Sequence, residues 1–476
     1  MKNIIIKGGA IMITKQRPKI GFLGLMQGLY DKSQPELPKM QEKFALQVAE
    51  QLTDVAEVDF PGPAKEREDI ERYVKYFNEK EYDGIMIANL LYSPGNRLIQ
   101  AMKKNNLPVL LANIQPLPDV TANWDWILCT TNQGIHGIQD TANVLMRCGI
   151  KPAIITDDWK SDSFKTFFED WAQSANTVAR LKKTKVAVFG RMHNMGDIMG
   201  DDAALCRKFG IEANHETIGP IFQIMEAVTE AEIDEQIAAD RKIFKIDPKL
   251  SDENHRYAAR MQLGFEKFLI QNGYSGFSQF FNIYKEDGRL RQLPILGGSS
   301  LLAKGYGYSA EGDTNALLLT VIGHMLVGDP HFTEMYSLDF GKDAAMLSHM
   351  GEGNWKVARK DRGVTLIDRP LDIGDLDNPP TPKFNVEPGT ATLLSLVAVE
   401  GEKYHLIACK GTILDTEELP DVPMNHAFFR PDTGIRQAMD KWLAYGGTHH
   451  EVLFLGDWRR RFEALCKILD IGYIEV

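Results

Sequence analysis

Short apolar runs alternate with amphipathic segments along the first third of the chain. Residues 20–25 form a compact apolar run, as expected for a strand that is buried on both faces of a sheet. Residues 38–52 follow with apolar positions at helical spacing and a proline near the start, where its missing N–H costs nothing. The alternation predicts further strands and helices at 55–60, 65–80, 84–88, 96–104 and 109–112. This β-α-β-α order favours a doubly wound parallel sheet.

The pattern changes in the rest of the chain. A second α/β unit is predicted to begin with the apolar strand 185–189. Residues 390–399 and 404–413 are rich in β-forming side chains and are joined by a Glu-Gly turn. Two such strands around a short turn are typical of an antiparallel sheet or barrel.

These segments predict an α/β protein of three domains. The first two would be doubly wound parallel-sheet domains, and the third would combine an antiparallel β-sheet or barrel with two terminal helices. A length of 476 residues agrees with this number, because a domain typically has about 150 residues. The expected domains are an N-terminal α/β domain at 1–183, a central α/β domain at 184–322 and a C-terminal β-rich domain at 323–476.

Composition narrows the classes of partner. Apolar residues make up 44% of the chain and charged residues 25%, which is typical of globular proteins. The net charge of −11 disfavours binding to nucleic acid or to anionic membranes. The 5 cysteines are scattered and lack a C-x-x-C pair, so we expect buried, reduced thiols in a cytoplasmic protein. We expect no targeting segment and no membrane span, because no apolar stretch reaches about 18 residues.

The glycines do not have the spacing of a nucleotide-binding loop. Gly21, Gly24 and Gly28 lie in or just after the first predicted strand, but they do not form G-x-G-x-x-G. The phosphate-binding pattern G-x-x-x-x-G-K-[ST] is also missing from the sequence. We therefore expect no nucleotide cofactor.

Acidic and imidazole side chains are concentrated between residues 305 and 355, with a second group at 446–450. They lie in Gly-rich or turn-like segments, from which a side chain can project into a cleft. Two carboxylates and two imidazoles would form an oxygen and nitrogen ligand set that suits Mn²⁺, Mg²⁺ or Co²⁺. From the residues alone, solvated loop carboxylates, helix caps and partly buried structural imidazoles remain the commoner interpretation.

These segments resemble motifs of the L-arabinose isomerase family and, more distantly, of L-fucose isomerase. The resemblance covers nearly the whole chain. Four segments match the motifs around the metal site in that family, namely Gly305 to Asp313, Phe332-x-Glu334, His349-Met350-x-Glu352 and Gly446-Gly447-x-His449-His450. Five others match elsewhere, namely Gln27-Gly28-Leu29-Tyr30, Asn132-Gln133-x-x-His136-Gly137, Gln292-Leu293-Pro294, Leu371-Asp372-Ile373-Gly374 and Leu419-Pro420-x-Val422-Pro423.

The resemblance implies a role for each matching residue. The implied ligands of a divalent cation are Glu311, Glu334, His349 and His450, with Mn²⁺ as the expected ion and Co²⁺ or Mg²⁺ as alternatives. Glu311 and Glu334 would also be the acid and base, and catalysis would further depend on Asp313, Glu352 and His449. The implied sugar-contacting residues are Gln27, Leu29, Tyr30, Gln133, His136, Phe332, Met195 (or Met192), Tyr284 and Ile373. A homo-oligomer, typically a hexamer, is also implied, in which the N-terminal loop reaches the site of a neighbouring subunit.

The expected function is therefore metal-dependent isomerisation of an aldose to a ketose, with L-arabinose and L-ribulose as the expected pair. Two alternatives remain open: an isomerase of another sugar, such as D-galactose or an L-fucose-like sugar, and a non-catalytic sugar-binding homologue. A metal-dependent hydrolase or a dehydrogenase is a third class, and the missing dinucleotide fingerprint disfavours the dehydrogenase.

Several residues beside the motifs depart from the usual pattern of the family. They leave the sugar specificity open without replacing an implied ligand. Gly351, for example, stands where the family usually has Leu, and residues 1–11 resemble an extension ahead of the usual start. The other departures are Gly28, Thr333, Met335, Thr448 and Glu451.

Overall fold

The computed structural model describes residues 13–371, 373 and 375–476. The predicted extension at 1–11, together with Asp372 and Gly374 of the 371–374 motif, lies outside the described residues. The chain forms two compact units. The small unit comprises Gln16–Arg180 and Arg460–Asp470, and the large unit comprises the remainder, chiefly Leu181–Arg459. The division into three domains stays a prediction.

A five-stranded parallel sheet is the centre of the small unit. Consecutive residues of its first strand face opposite sides, so that Phe22 packs in one apolar core and Leu23 in the other. Both faces are therefore covered, as the apolar run at 20–25 predicts. The strands are β1 (Lys19–Leu25), β2 (Glu57–Asp59), β3 (Gly84–Asn89), β4 (Val109–Asn113) and β5 (Ala153–Thr156), in the order β2-β1-β3-β4-β5.

Helices cover both faces of this sheet. The helix Arg67–Glu79 begins with a capping box, in which the Glu66 and Asp69 side chains each accept a backbone N–H of the other residue. The helices of this unit are Leu29–Ser33, Glu36–Gln51, Arg67–Glu79, Ile99–Met102, Trp126–Thr131, Gly134–Arg147, Asp162–Leu181 and Arg459–Leu469, with a 3₁₀ turn at Gly95–Leu98.

The large unit begins with a second parallel sheet, which has four strands in the order β7-β6-β9-β10. Its core is aromatic, and the Phe277 ring lies between Phe265 and Tyr308, with ring centroids 5.0 and 5.2 Å away. The strands of this part of the chain are β6 (Lys185–Phe189), β7 (Glu212–His215), β8 (Phe244–Ile246), β9 (Gly276–Gln279) and β10 (Gly307–Ala310). The helices of the large unit are Asp202–Phe209, Ile218–Glu226, Glu230–Ile243, Asp252–Asn272, Asn282–Asp287, Ile295–Lys304, Thr314–Leu326 and Ile435–Ala444.

The rest of the large unit is an antiparallel barrel. Six strands follow one another as β15-β18-β11-β12-β17-β16, and pairing of β15 with β16 closes the ring. Strand β19 adds to β16 in parallel, while β8, β13 and β14 form a separate small sheet. The strands are β11 (His331–Asp339), β12 (Ala344–Ser348), β13 (Val364–Asp368), β14 (Pro380–Lys383), β15 (Gly389–Glu400), β16 (Lys403–Ile413), β17 (His426–Pro431), β18 (His450–Leu455) and β19 (Gly472–Glu475), with a 3₁₀ turn at Trp355–Val357. The expected fold class, parallel α/β sheets followed by an antiparallel barrel, is confirmed.

One helix joins the parallel sheet to the barrel. Helix Thr314–Leu326 follows β10, and all of its residues are buried. Its packing against the barrel is close, because a Cβ atom built on Gly323 would lie 2.6 Å from the Phe454 ring on β18. The helix that follows the segment 311–313 is therefore packed directly against the barrel.

The cysteines correct one expectation. All 5 are free, but Cys129 and Cys206 are exposed and Cys148 is half-buried, whereas the sequence predicted buried thiols. Cys129 and Cys206 lie on helices that each bury only one face, so helical position decides their exposure more than apolar character does. Within the described residues, no helix has both the length and the apolar character that crossing a membrane requires.

Candidate metal centre

Strand pairing brings three of the four predicted ligands together in the large unit, and the segment after β10 supplies the fourth. Glu334 lies on β11, the strand between β18 and β12. It is directly opposite His450 on β18 and Ser348 on β12, and His349 follows Ser348. Glu311 follows the last residue of β10. The expectation that Glu334 and His450 lie in turn-like segments is thus wrong, because both residues lie in strands.

The ligand atoms of these residues face one another at short range. His450 Nε2 lies 3.6 Å from Glu334 Oε1 and 3.8 Å from Glu311 Oε2. His349 Nε2 lies 3.9 Å from Glu334 Oε1. Two overlapping groups, Glu311-His449-His450 and Glu334-His349-His450, each have their ligand atoms within 4.8 Å of one another. Because these separations exceed ordinary hydrogen-bond lengths, the atoms converge without bonding to each other.

Buried carboxylates orient both imidazoles. His450 Nδ1 donates to Asp313 Oδ2 at 2.9 Å, and His349 Nδ1 donates to Glu352 Oε2 at 2.8 Å. The hydroxyl of Tyr308 donates to the other oxygen of Glu352 at 2.8 Å. Because a carboxylate oxygen accepts, each ring in its neutral form keeps its proton on Nδ1 and leaves a lone pair on Nε2, which is the tautomer a metal ligand needs.

The atoms that remain unbonded fit a divalent cation. Glu311 Oε2, His349 Nε2 and His450 Nε2 are buried and accept no hydrogen bond from any part of the chain that the structure describes. Buried polar atoms without partners are rare in folded proteins. Carboxylate oxygens and imidazole nitrogens are a suitable donor set for Mn²⁺, Co²⁺ or Mg²⁺. The residues present therefore match the implied group.

The charges of the cluster are mutually stabilising. Burial raises the pKa of Glu311, but the neighbouring histidines outweigh it, so that the pKa of this carboxyl lies below its usual value. For His349, burial favours the neutral ring, yet the nearby carboxylates, Glu352 first among them, raise its pKa above the usual value. An excess of buried carboxylate charge around two imidazoles is an environment that attracts a cation.

The backbone at Glu311 is unusual for a side-chain-bearing residue. Glu311 has φ +63° and Gly312 has φ +78°, so two successive residues adopt the left-handed conformation. A Cβ atom built on Gly312 would lie 2.6 Å from both Arg191 Cα and the Gly190 carbonyl oxygen. Asp313 then caps the following helix, its Oδ1 accepting from the N–H groups of Asn315 and Ala316 at 2.8 and 3.0 Å. The tight turn places Glu311 and Asp313 on either side of His450.

His449 lies at the rim of the cluster, with about a third of its side chain exposed. Its Nε2 lies 3.7 Å from Glu334 Oε1 and 3.8 Å from Glu311 Oε2. Its Nδ1 contacts Asp197 Oδ2 at 2.6 Å. Although burial favours the neutral ring, these carboxylates raise the pKa of His449 to about 9. Asp197 was not predicted, because it lies in an irregular Met- and Gly-rich segment that contains no motif.

Aromatic and apolar residues surround the cluster. The Phe332 ring is fully buried, with its centroid 4.8 Å from that of His349 and 5.0 Å from that of His450. A small cavity beside Glu311 and His349 is also lined by Ile373. Tyr284 is 0% exposed and packs in the core of the parallel sheet, while Met195 is half-buried in the segment that contains Asp197. The sugar-contacting roles of these residues stay predictions.

The other predicted sugar-contacting residues form their own group in the small unit. The Tyr30 hydroxyl donates to Gln133 Oε1 at 2.9 Å, and Gln133 Nε2 lies 3.2 Å from His136 Nδ1. Leu29 is 60% exposed, and Gln27 is half-buried. The two predicted sugar-binding segments, after β1 and at 132–137, are thus neighbours within one unit.

Two family models match the large unit. The model described as L-arabinose isomerase central domain matches residues 185–328, and that described as L-arabinose isomerase C-terminal domain matches residues 329–472. The four segments of the cluster lie within these matches.

Whole-chain comparison finds relatives with the same name. An L-arabinose isomerase of Nocardioides sp. is 30% identical over 386 residues, which are 78% of this chain and 75% of that protein. An L-arabinose isomerase of Salmonella arizonae is 28% identical over 397 residues, 79% of this chain and 78% of that protein. Among solved structures, a periplasmic solute-binding protein from Actinobacillus succinogenes with bound D-allose is 15% identical, covering 60% of this chain and 89% of its own, with a TM-score of 0.17. That likeness is too low to support an argument about function.

Proposed function

The chain belongs to the L-arabinose isomerase family, and from this premise we propose that it interconverts an aldose and its 2-ketose with the help of a bound divalent cation. L-arabinose and L-ribulose are the proposed pair, and Mn²⁺ is the proposed ion. The observation that carries the proposal is that Glu311 Oε2 and Glu334 Oε1 face the same imidazole nitrogen, His450 Nε2, at 3.8 and 3.6 Å. A non-catalytic sugar-binding protein has no need of such a ligand set.

Four residues would hold the cation: Glu311, Glu334, His349 and His450. Two of them are already oriented by buried carboxylates, at Asp313 and Glu352. When bound, a divalent cation would act as a Lewis acid that polarises a carbonyl and acidifies the neighbouring C–H.

The two glutamates would move the proton between carbon atoms. Isomerisation takes a proton from C2 of the aldose, passes through an enediol and delivers a proton to C1, while a second proton moves from O2 to O1. One carboxylate acts as the general base, and the other carboxyl group returns the proton. This arrangement requires two acid-base groups at one site. Glu311 and Glu334 both lie within 3.8 Å of His450 Nε2, so either carboxylate can reach the same bound sugar.

Other residues would orient the sugar and exclude water. The Phe332 ring packs on both ligand imidazoles and would keep water away from that side of the cluster. His449, held by Asp197, lies at the exposed rim, where it can donate a hydrogen bond to a sugar oxygen. We further propose that Tyr30, Gln133 and His136 contact sugar within a homo-oligomer, with a hexamer as the expected state.

The test asks whether ketose formation by protein that has been stripped of metal depends on added Mn²⁺. Incubation with L-arabinose, with and without added Mn²⁺, is followed by a colorimetric ketose assay. Metal-dependent ketose formation supports the proposal, whereas sugar binding without turnover supports a non-catalytic homologue. A panel of pentoses, hexoses and 6-deoxyhexoses then identifies the preferred sugar, with D-galactose and L-fucose as the leading alternatives.

Two substitutions test the assignment of the glutamates. Glu311→Gln and Glu334→Gln each keep the side-chain shape but remove the base, so each should reduce turnover at least about 1,000-fold while the fold is retained. Glu400→Gln is the control, because Glu400 is the last residue of β15 and 80% of its side chain is accessible. Substantial isomerisation by both site variants would show that other groups move the proton.

A further inference from the structure

The turn after β12 carries one predicted ligand, His349, and the carboxylate that orients it, Glu352. From His349 to Asn354 the backbone forms no helix or strand. The turn is nevertheless buried, with His349 and Glu352 each 1% exposed. Because buried backbone N–H and C=O groups need partners, this turn must find its partners in other parts of the fold.

Two side chains from distant segments bond to its carbonyl groups. Arg369 Nη1 donates to the Met350 carbonyl oxygen. Asn425 Nδ2 donates to the carbonyl oxygens of Gly351 and Glu352, at 2.9 and 3.2 Å. Three successive carbonyls are therefore held by one guanidinium and one amide, on residues that are 5% and 0% exposed.

Both donors are attached to rigid elements. Arg369 directly follows β13, and Asn425 directly precedes β17, which pairs with β12. The other end of the turn is tied as well, since the Gly353 N–H donates to Ser299 Oγ at 3.2 Å. The turn is thus positioned by side chains and not by ladder hydrogen bonds.

Gly351 leaves the space that Arg369 occupies. Its φ is +114°, and a Cβ atom built on it would lie 2.8 Å from Arg369 Nη1 and 2.5 Å from Thr381 Cγ2. A larger residue here would displace the guanidinium. The contact between Arg369 and the turn therefore depends on the glycine at this position.

We propose that Arg369 and Asn425 form a clamp that positions His349 for metal binding. They are positioning residues, because they contact the backbone of the turn and neither the ligand atoms nor the reacting groups. Removing either donor leaves a buried carbonyl unpaired and lets Glu352 move away from His349 Nδ1. The inference rests on the proposed function, since it takes His349 to be a metal ligand.

The test measures Mn²⁺ binding by the full-length protein, with free Mn²⁺ followed by electron paramagnetic resonance. Arg369→Met and Asn425→Leu should each raise the Kd for Mn²⁺ about 10- to 100-fold, as is typical when a residue that supports a ligand is lost. The double variant should lose less than the product of the two effects, because both residues hold one turn. Arg359→Met is the matched control, since Arg359 is also a buried arginine but pairs with Asp361 and Asp415.

The outcomes separate the clamp from the metal site itself. No Mn²⁺ binding by the unmodified protein would overturn the ligand set and the clamp together. Normal Kd values in both variants, with or without a lower Tm of the metal-free protein, would overturn the clamp alone. A lower Kd in Arg369→Met would also overturn it, because Arg369 would then act only as a repelling charge. If Arg369→Met does not fold, Arg369→Lys keeps the charge, loses the rigid fork of donors and should still raise the Kd.

Discussion

Replacement of Asp313 by asparagine should separate folding from metal binding. Asp313 has two functions in the structure: Oδ1 caps the helix Thr314–Leu326, and Oδ2 accepts from His450 Nδ1 at 2.9 Å. Asparagine retains one carbonyl oxygen and replaces the other oxygen with an NH₂ group. If the carbonyl keeps the cap, the NH₂ group faces His450 Nδ1 and forces that nitrogen to become an acceptor. The proton then moves to Nε2, which can no longer bind a cation.

The magnitudes of the two effects differ. Asparagine and aspartate are nearly equal as helix caps, so the free energy of unfolding of the metal-free protein should change by no more than about 1 kcal/mol. The loss of a carboxylate that orients a ligand typically weakens metal binding about 10- to 100-fold, or about 1.4 to 2.7 kcal/mol. Asp313→Ala would lose the cap as well, at a further cost of about 1 kcal/mol.

Glu352→Gln is the informative comparison. Glu352 accepts from His349 Nδ1 and from the Tyr308 hydroxyl, both at 2.8 Å, and it caps no helix. Its amide can turn its oxygen to His349 and its NH₂ group to the Tyr308 oxygen, so the Kd should rise less than 10-fold. The assay is Mn²⁺ titration of each purified variant, with urea unfolding of the metal-free protein. Unchanged Mn²⁺ affinity in Asp313→Asn together with an unchanged free energy of unfolding, which shows that the cap is kept, would refute the assignment of His450 Nε2 as a ligand.

Two further predictions concern stability. Gly312→Ala should lower the free energy of unfolding by more than the loss of about 1–2 kcal/mol expected for a left-handed residue, because the new Cβ would meet Arg191 Cα and the Gly190 carbonyl oxygen at 2.6 Å. The control in urea unfolding is Gly363→Ala, since Gly363 has φ +74° and a Cβ built on it would have no neighbour within 4 Å. Equal losses in the two variants would contradict the packing argument. Burial lowers the pKa of His324 from 6.5 to about 4. Between these two values the ring is mostly protonated in the unfolded chain and mostly neutral in the folded chain. Stability should therefore be lost as the pH falls from 6.5 toward 4, and this residue should account for about 2 kcal/mol of the loss between pH 7 and pH 5. In urea unfolding, the stability of His324→Leu should depend less on pH than that of the unmodified protein. An equal pH dependence would show that the ring ionises normally in the folded protein.

Periodicity was sufficient to predict the alternating strands and helices at the start of the chain. The apolar run at 20–25 is the buried strand β1, and the predicted helix at 65–80 is observed at Arg67–Glu79. Each depends on residues close together in sequence. The strand pairings of the barrel could not be predicted in this way, since Glu334 and His450 become neighbours only through the register of β11 and β18. Residues that support the site from far away in sequence, such as Asp197 and Asn425, carry no local signal for the same reason.

Strand alternation also separates the expected departures from the family pattern into two groups. Neighbouring residues of a strand face opposite sides, so Thr333 and Met335 point away from the ligand side of Glu334. Met335 packs against the barrel core, and Glu451, opposite Thr333 in register, shares the side of β18 that Leu453 presents to that core. These three departures change the barrel interior and leave the ligand side as it is. Gly351 is different, because its missing side chain makes room for Arg369 against the turn that carries His349. Substitutions in this turn are therefore expected to weaken Mn²⁺ binding more than substitutions at the three strand positions.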